Sequence, residues 1–91
     1  MAKKWDAPKD PNEVLDYSVD WAALLAGDTI VTSNWTVPVG VTGGAQTFTD
    51  DQTLIWLSGG TENVSYELLN RITTAAGRTR DQTCVLKIKT K

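Results

Sequence analysis

From residue 14 onward the apolar and polar positions alternate in short blocks, a period of two that predicts strands. Within residues 14–21, Leu15, Tyr17 and Val19 fall on one face and Asp16, Ser18 and Asp20 on the other. Residues 29–37 are rich in β-branched side chains, which suit a strand. Ile30 and Trp35 have opposite parity there, so burying both requires a bulge or bend between them. Pro38, Gly40, Gly43 and Gly44 read as a break, residues 45–49 as a short strand and Asp50 and Asp51 as a turn. Residues 53–57 form a strong strand that stops at Ser58, Gly59 and Gly60. Residues 64–74 give the longest strand, with Tyr66, Leu68, Asn70 and Ile72 on one face and Glu67, Leu69, Arg71 and Thr73 on the other. The string ELLNRI also suits a helix, but Thr73, Thr74 and the hairpin signal at Ala76, Gly77 and Arg78 favour a strand. Residues 83–89 alternate cleanly, with Cys84, Leu86 and Ile88 inward and Lys87 and Lys89 outward.

Six or seven short strands with a turn signal about every ten residues predict an all-β chain. The expected form is an Ig-like β-sandwich of about seven antiparallel strands over residues 14–91. Its core should draw on Tyr17, Trp35, Ile55, Leu57, Tyr66, Leu68, Ile72, Leu86 and Ile88. Tyr66, early on the long strand after a Gly-rich turn, is placed like the tyrosine that ties a sandwich corner to backbone. Residues 1–13 read as an extended N-terminal arm, polar and interrupted by Pro8 and Pro11. Fully extended, such an arm reaches roughly 40 Å. Trp5 stands alone in it, as an anchor for a partner or as a residue folding back on its own domain.

Composition narrows the function more than the fold. Ninety-one residues make one domain. No apolar run approaches the ~20 residues that a membrane helix needs, and no export signal is recognisable, so synthesis and use without Sec-type secretion are expected. Histidine is absent, which removes the commonest general base and the commonest metal ligand. The single cysteine, Cys84, reads as a small buried hydrophobe. There is no phosphate-binding glycine loop, no paired cysteine and no triad. No catalytic, cofactor or metal residue is therefore assigned, and Asp50 and Asp51 read as a turn in preference to a calcium site.

Charge is unevenly spread. Residues 1–62 carry three lysines and nine acids (3 − 9 = −6), and residues 63–91 carry six bases and two acids (6 − 2 = +4). A basic nucleic-acid footprint is absent, but such a split can guide packing against copies or partners. Four tryptophans are more than a small sandwich core needs. Trp56 is out of parity with Ile55 and Leu57, and buried interface anchors are enriched in tryptophan.

Several stretches also carry a family resemblance: residues 9–17 (KDPNEVLDY), Asp20 and Trp21, residues 25–30 (LAGDTI), 33–38 (SNWTVP), 55–61 (IWLSGGT), Tyr66 and residues 70–79 (NRITTAAGRT). Together they resemble the small fibre–tail adaptor proteins of tailed bacteriophages. The middle and C-terminal stretches are also similar to Ig-like domains of bacteria and phages. The resemblance implies a virion structural protein in several copies, made in the host cytoplasm, with tail or neck proteins and a tail fibre as partners. It implies neither nucleic-acid nor membrane binding. The expected contacts are Trp5, Pro8, Lys9, Asp10, Pro11 and Glu13 on the arm, with Asp16, Asp20, Trp21 and Trp56 on the domain. The rival readings are a capsid decoration or cement protein and a carbohydrate-binding Ig-like module.

Overall fold

The alternating segments pair into two sheets. The structure, a computed structural model, describes residues 3–5 and 8–90. Its elements are β1 (Lys3–Lys4), β2 (Leu15–Asp20), α1 (Ala22–Leu25), β3 (Ile30–Thr36), β4 (Val41–Phe48), β5 (Gln52–Gly59), β6 (Ser65–Thr74) and β7 (Thr79–Lys87). One sheet has the order β1-β7-β6-β3 and the other β2-β5-β4. All pairings are antiparallel except β1 with β7, which is parallel. The chain is thus all-β, and the buried faces of both sheets contribute to one core.

Parity decides which side chains enter that core. Ile55 and Leu57 come from β5, Leu68 and Ile72 from β6, and Cys84 and Leu86 from β7, with Ile88 just beyond. Tyr66 is also buried, and its hydroxyl accepts a hydrogen bond from the Thr61 amide at 3.0 Å. Gly40 makes room for that ring. Its φ is +107°, and a Cβ there would lie 2.8 Å from the tyrosine ring.

Three local features differ from the alternation pattern, and a fourth, an expected bulge, is located. The run after Asp20 closes into one helical turn, with the Leu25 amide on the Trp21 carbonyl, so Trp21 and Leu25 are buried. Val19, Ile30 and Val41 join the core as well, whereas Tyr17 and Trp35 pack against it only partly buried. Gly43 and Gly44 lie inside β4, where the register shifts between Gly43 and Gln46, instead of breaking the chain. The bulge expected between Ile30 and Trp35 falls at Val31, since the pairing with β6 shifts between Ile30 and Thr32.

One polar side chain sits at the centre. Asn70 is fully buried; its Oδ1 accepts from Trp21 Nε1 (3.1 Å) and Thr53 Oγ1 (2.6 Å). Its amide nitrogen donates to Ser33 Oγ (3.0 Å) and to the Asn34 carbonyl (3.2 Å). Asn70 on β6 and Thr53 on β5 thereby join the two sheets by a hydrogen bond as well as by apolar packing.

Candidate partner-binding surface

The N-terminal segment is laid along the four-stranded sheet. Lys3 and Lys4 pair with Cys84 and Val85, and the Trp5 amide donates to the Val85 carbonyl. The Trp5 ring covers Tyr17 (centroids 4.6 Å apart) and approaches Trp35 (6.2 Å), while its Nε1 donates to the Ser18 carbonyl. Trp5 therefore folds back on its own domain. It also explains why Tyr17 and Trp35 sit below a lid and not within the core. Trp35 Nε1 is buried without a hydrogen-bond partner among the described residues.

Lys9 holds the segment most firmly. Its amide donates to the Lys87 carbonyl and its carbonyl accepts from the Lys89 amide, both at 2.8 Å. The side chain is buried, with Nζ on the carbonyls of Gly59 (2.7 Å) and Asp10 (2.9 Å). Burial pushes its amine below the ordinary lysine range, opposed by the nearby carboxylates of Glu13 and Asp10. Residues 10–13 then turn, as the Asp10 amide donates to Glu13 Oε1 and the Glu13 amide to the Asp10 carbonyl. Pro8, Asp10, Pro11 and Glu13 remain half-buried on this turn. The arm residues Met1, Ala2, Asp6 and Ala7 lie outside the described residues.

The outer face of the β2-β5-β4 sheet has a different character. Asp16 pairs with Trp56 and Asp20 with Gln52, while Ser18 pairs with Leu54 between them. Trp56 is 41% exposed and both aspartates are exposed. An indole with a carboxylate directly beside it is thus displayed on a rigid central strand. Asp20 also accepts from the Ala22 amide at 3.0 Å, which fixes where β2 turns into α1.

Of the residues expected to meet a partner, Asp16, Asp20 and Trp56 share this face. Two expectations are corrected. Trp21 is only 1% exposed, because the helical turn swings its ring inward onto Asn70 and Thr53. Lys9 has no exposed surface, because the segment docks alongside β7 and places its amine on buried carbonyls.

The sequence pattern also misses a hollow of about 460 Å³ at the α1 end, lined in part by Leu24, Leu25, Asp28, Ala76, Arg78 and Arg80. Asp28 braces one wall, accepting from the amides of Thr29 and Ala76 and from Arg78 Nη1 (3.2 Å). These bonds, and above all one with the Thr74 hydroxyl, hold its carboxyl below the usual range. Residues 28 and 78 are fifty positions apart, so only pairing in three dimensions reveals the contact.

Among the described residues no group of three or more histidine, cysteine or acidic side chains is placed to hold a metal ion. No helix among them is long and apolar enough to cross a membrane. No curated protein matches the chain. A family model does, the one described as Podophage GP4 fiber-tail adaptor protein gp77, over residues 9–87. That span opens on the buried Lys9 and closes on Lys87, the last residue of β7, so it takes in the anchor of the N-terminal segment and every strand but β1. On that extent of match, the chain belongs to the podophage GP4 fiber-tail adaptor family.

Proposed function

We propose that this protein is a non-catalytic virion component, made in the host cytoplasm, that links tail fibres to the tail of a podophage and is present in several copies per particle. The family match over residues 9–87 carries the reading. The fold suits the task, because a small two-sheet domain presents rigid faces on which few side chains need ordering when a partner binds. We read it as Ig-like on the strength of the Tyr66 hydroxyl tied to the Thr61 amide at the sheet corner.

Two surfaces divide the linking role. The face with Trp56, Asp16 and Asp20 supplies an aromatic anchor beside carboxylates, suited to a partner with a cationic rim around an apolar socket. The turn with Pro8, Asp10, Pro11 and Glu13 forms the second contact, presented by a segment that the domain already holds in place. In this reading residues 1–13 serve as an anchoring strap and residues 14–91 as the body.

Phage assembled with the double variant Trp56→Ala, Asp16→Lys tests this reading. Purified particles are expected to lose fibres or the adaptor itself by mass spectrometry, while the isolated variant melts at the wild-type temperature. Particles with a full complement of both would refute the assignment of that face.

A further inference from the structure

Alternation along β7 places Arg80 on the same side as Cys84 and Leu86, neither of which has any exposed surface. Its cross-strand neighbour on β6, Ile72, is equally buried, so the side chain at position 80 starts out toward the space between the sheets. An arginine suits such a position only at the open end of a sandwich. There its stem lies on apolar surface while the guanidinium keeps contact with solvent. Arg80 is exposed and lines the hollow at the α1 end. It makes no hydrogen bond or ion pair among the described residues.

The rest of the lining limits what that guanidinium can take. Asp28 is the one acid in it, and its carboxylate is already committed to two amides, the Thr74 hydroxyl and Arg78. Arg78 gives Asp28 one contact at 3.2 Å and is itself 60% exposed, so most of its five N–H donors remain open. Two guanidiniums against one carboxylate leave the lining with one positive charge in excess (2 − 1 = +1). Beside them Leu24 is 50% exposed, an apolar surface in the same hollow. The volume of about 460 Å³ lies within the range of sites that bind small groups.

We propose that this hollow is a docking site for an acidic side chain of a partner protein, a glutamate or aspartate flanked by an apolar residue. Arg80 receives the carboxylate through its planar fork of donors, Arg78 adds a further charge-assisted contact, and the apolar neighbour packs on Leu24. A single carboxylate matches the single excess charge. A phosphate polymer fits less well, because it makes no use of the Leu24 surface and is repelled by residues 1–62, which carry a net charge of −6 (3 − 9 = −6). The hollow shares no residue with the Trp56 face or with the turn at residues 10–13, so the site stands apart from the two surfaces assigned to linking.

The test is a nuclear magnetic resonance titration of the full chain with the blocked peptide acetyl-Leu-Glu-Leu-amide, using acetyl-Leu-Gln-Leu-amide as its neutral match. Saturable shifts are expected at the Gly27 and Ala76 amides and at Arg80 Nε–H, with a dissociation constant of about 1 mM, a value fitting one anchored side chain. The glutamine peptide should bind about tenfold more weakly or worse, a comparison that needs no variant. Arg80→Gln should weaken binding of the glutamate peptide by about tenfold at an unchanged melting temperature, since Arg80 has no partner to lose. Lys87→Gln removes the same charge from β7 outside the hollow and should bind like the wild type. Inorganic phosphate should bind more weakly than the glutamate peptide. Absence of saturable shifts at the hollow, equal binding of the two peptides, wild-type binding by Arg80→Gln, an equal loss in Lys87→Gln, or tighter binding of phosphate would each overturn the proposal. All readouts use the isolated chain, so such a failure leaves the fibre–tail assignment untouched.

Discussion

Asn70 occupies a position where alternation along β6 calls for an apolar side chain, between Leu68 and Ile72. It is retained in the core by four hydrogen bonds that use both of its polar atoms. Truncation in Asn70→Ala strips the Thr53 hydroxyl of its acceptor and the Ser33 hydroxyl and Asn34 carbonyl of their donor, and leaves the Trp21 indole with Thr53 alone. Each unsatisfied buried group costs about 1–3 kcal/mol, so a loss of about 3 kcal/mol in denaturant unfolding is expected. Asp28 makes a second prediction at this scale. Its carboxyl is held below its ordinary value near 3.8, so the unfolded chain takes up that proton more readily than the folded one. Its contribution is therefore present above the ordinary value and lost as pH falls through the folded value. Thermal melts from neutral pH down to about pH 2 should show a steeper acid loss in the wild type than in Asp28→Asn, which melts lower at neutral pH.

At the scale of elements, the informative part is the segment from Lys3 to Glu13. Its prolines and charges argue against a regular central strand, and among the described residues it forms only the two-residue edge strand β1. It nevertheless docks, through two parallel pairs at β1, the Trp5 ring over Tyr17 and the Lys9 side chain in the interior. A buried lysine that gives its ammonium to two carbonyls is a directional fastener, because no apolar side chain satisfies those oxygens. Lys9→Ala removes the buried stem and both bonds, and a destabilisation of about 2 kcal/mol is expected. Amide exchange at Lys89, whose N–H donates to the Lys9 carbonyl, should accelerate in that variant while protection in β6 changes less. Equal acceleration in both would mean that the segment unfolds only with the whole domain.

On the scale of the whole molecule, two places turn different characters outward. The β2-β5-β4 face bears Trp56 with Asp16, and the hollow at the α1 end bears Arg78 and Arg80. Trp56 is more than a third exposed and does not belong to the core, so Trp56→Ala should change the unfolding free energy by at most about 0.5 kcal/mol. Its effect should appear only in the assembled particle, as lost fibres. A large stability loss in the isolated domain would instead give that ring a structural role.

Alternation alone determined the all-β class, the approximate strand positions and most of the core. It did so because a period of two fixes which side chains can share a face, as with Leu68 and Ile72 or Cys84 and Leu86. Parity also marked Trp56 as outward and required the β3 bulge. Tertiary structure decided what depends on partners distant in sequence. Trp21 is a core residue because one helical turn redirects it onto Asn70, forty-nine positions away. Tyr17 and Trp35 are only partly buried, under Trp5, so that the aromatic ring of the N-terminal segment covers what the sheets leave open. Lys9 reads in sequence as a partner contact on the arm and becomes an internal fastener, since the carbonyl of Gly59 that binds it is fifty residues away. Local pattern fixes faces, whereas long-range pairing fixes which of those faces are covered.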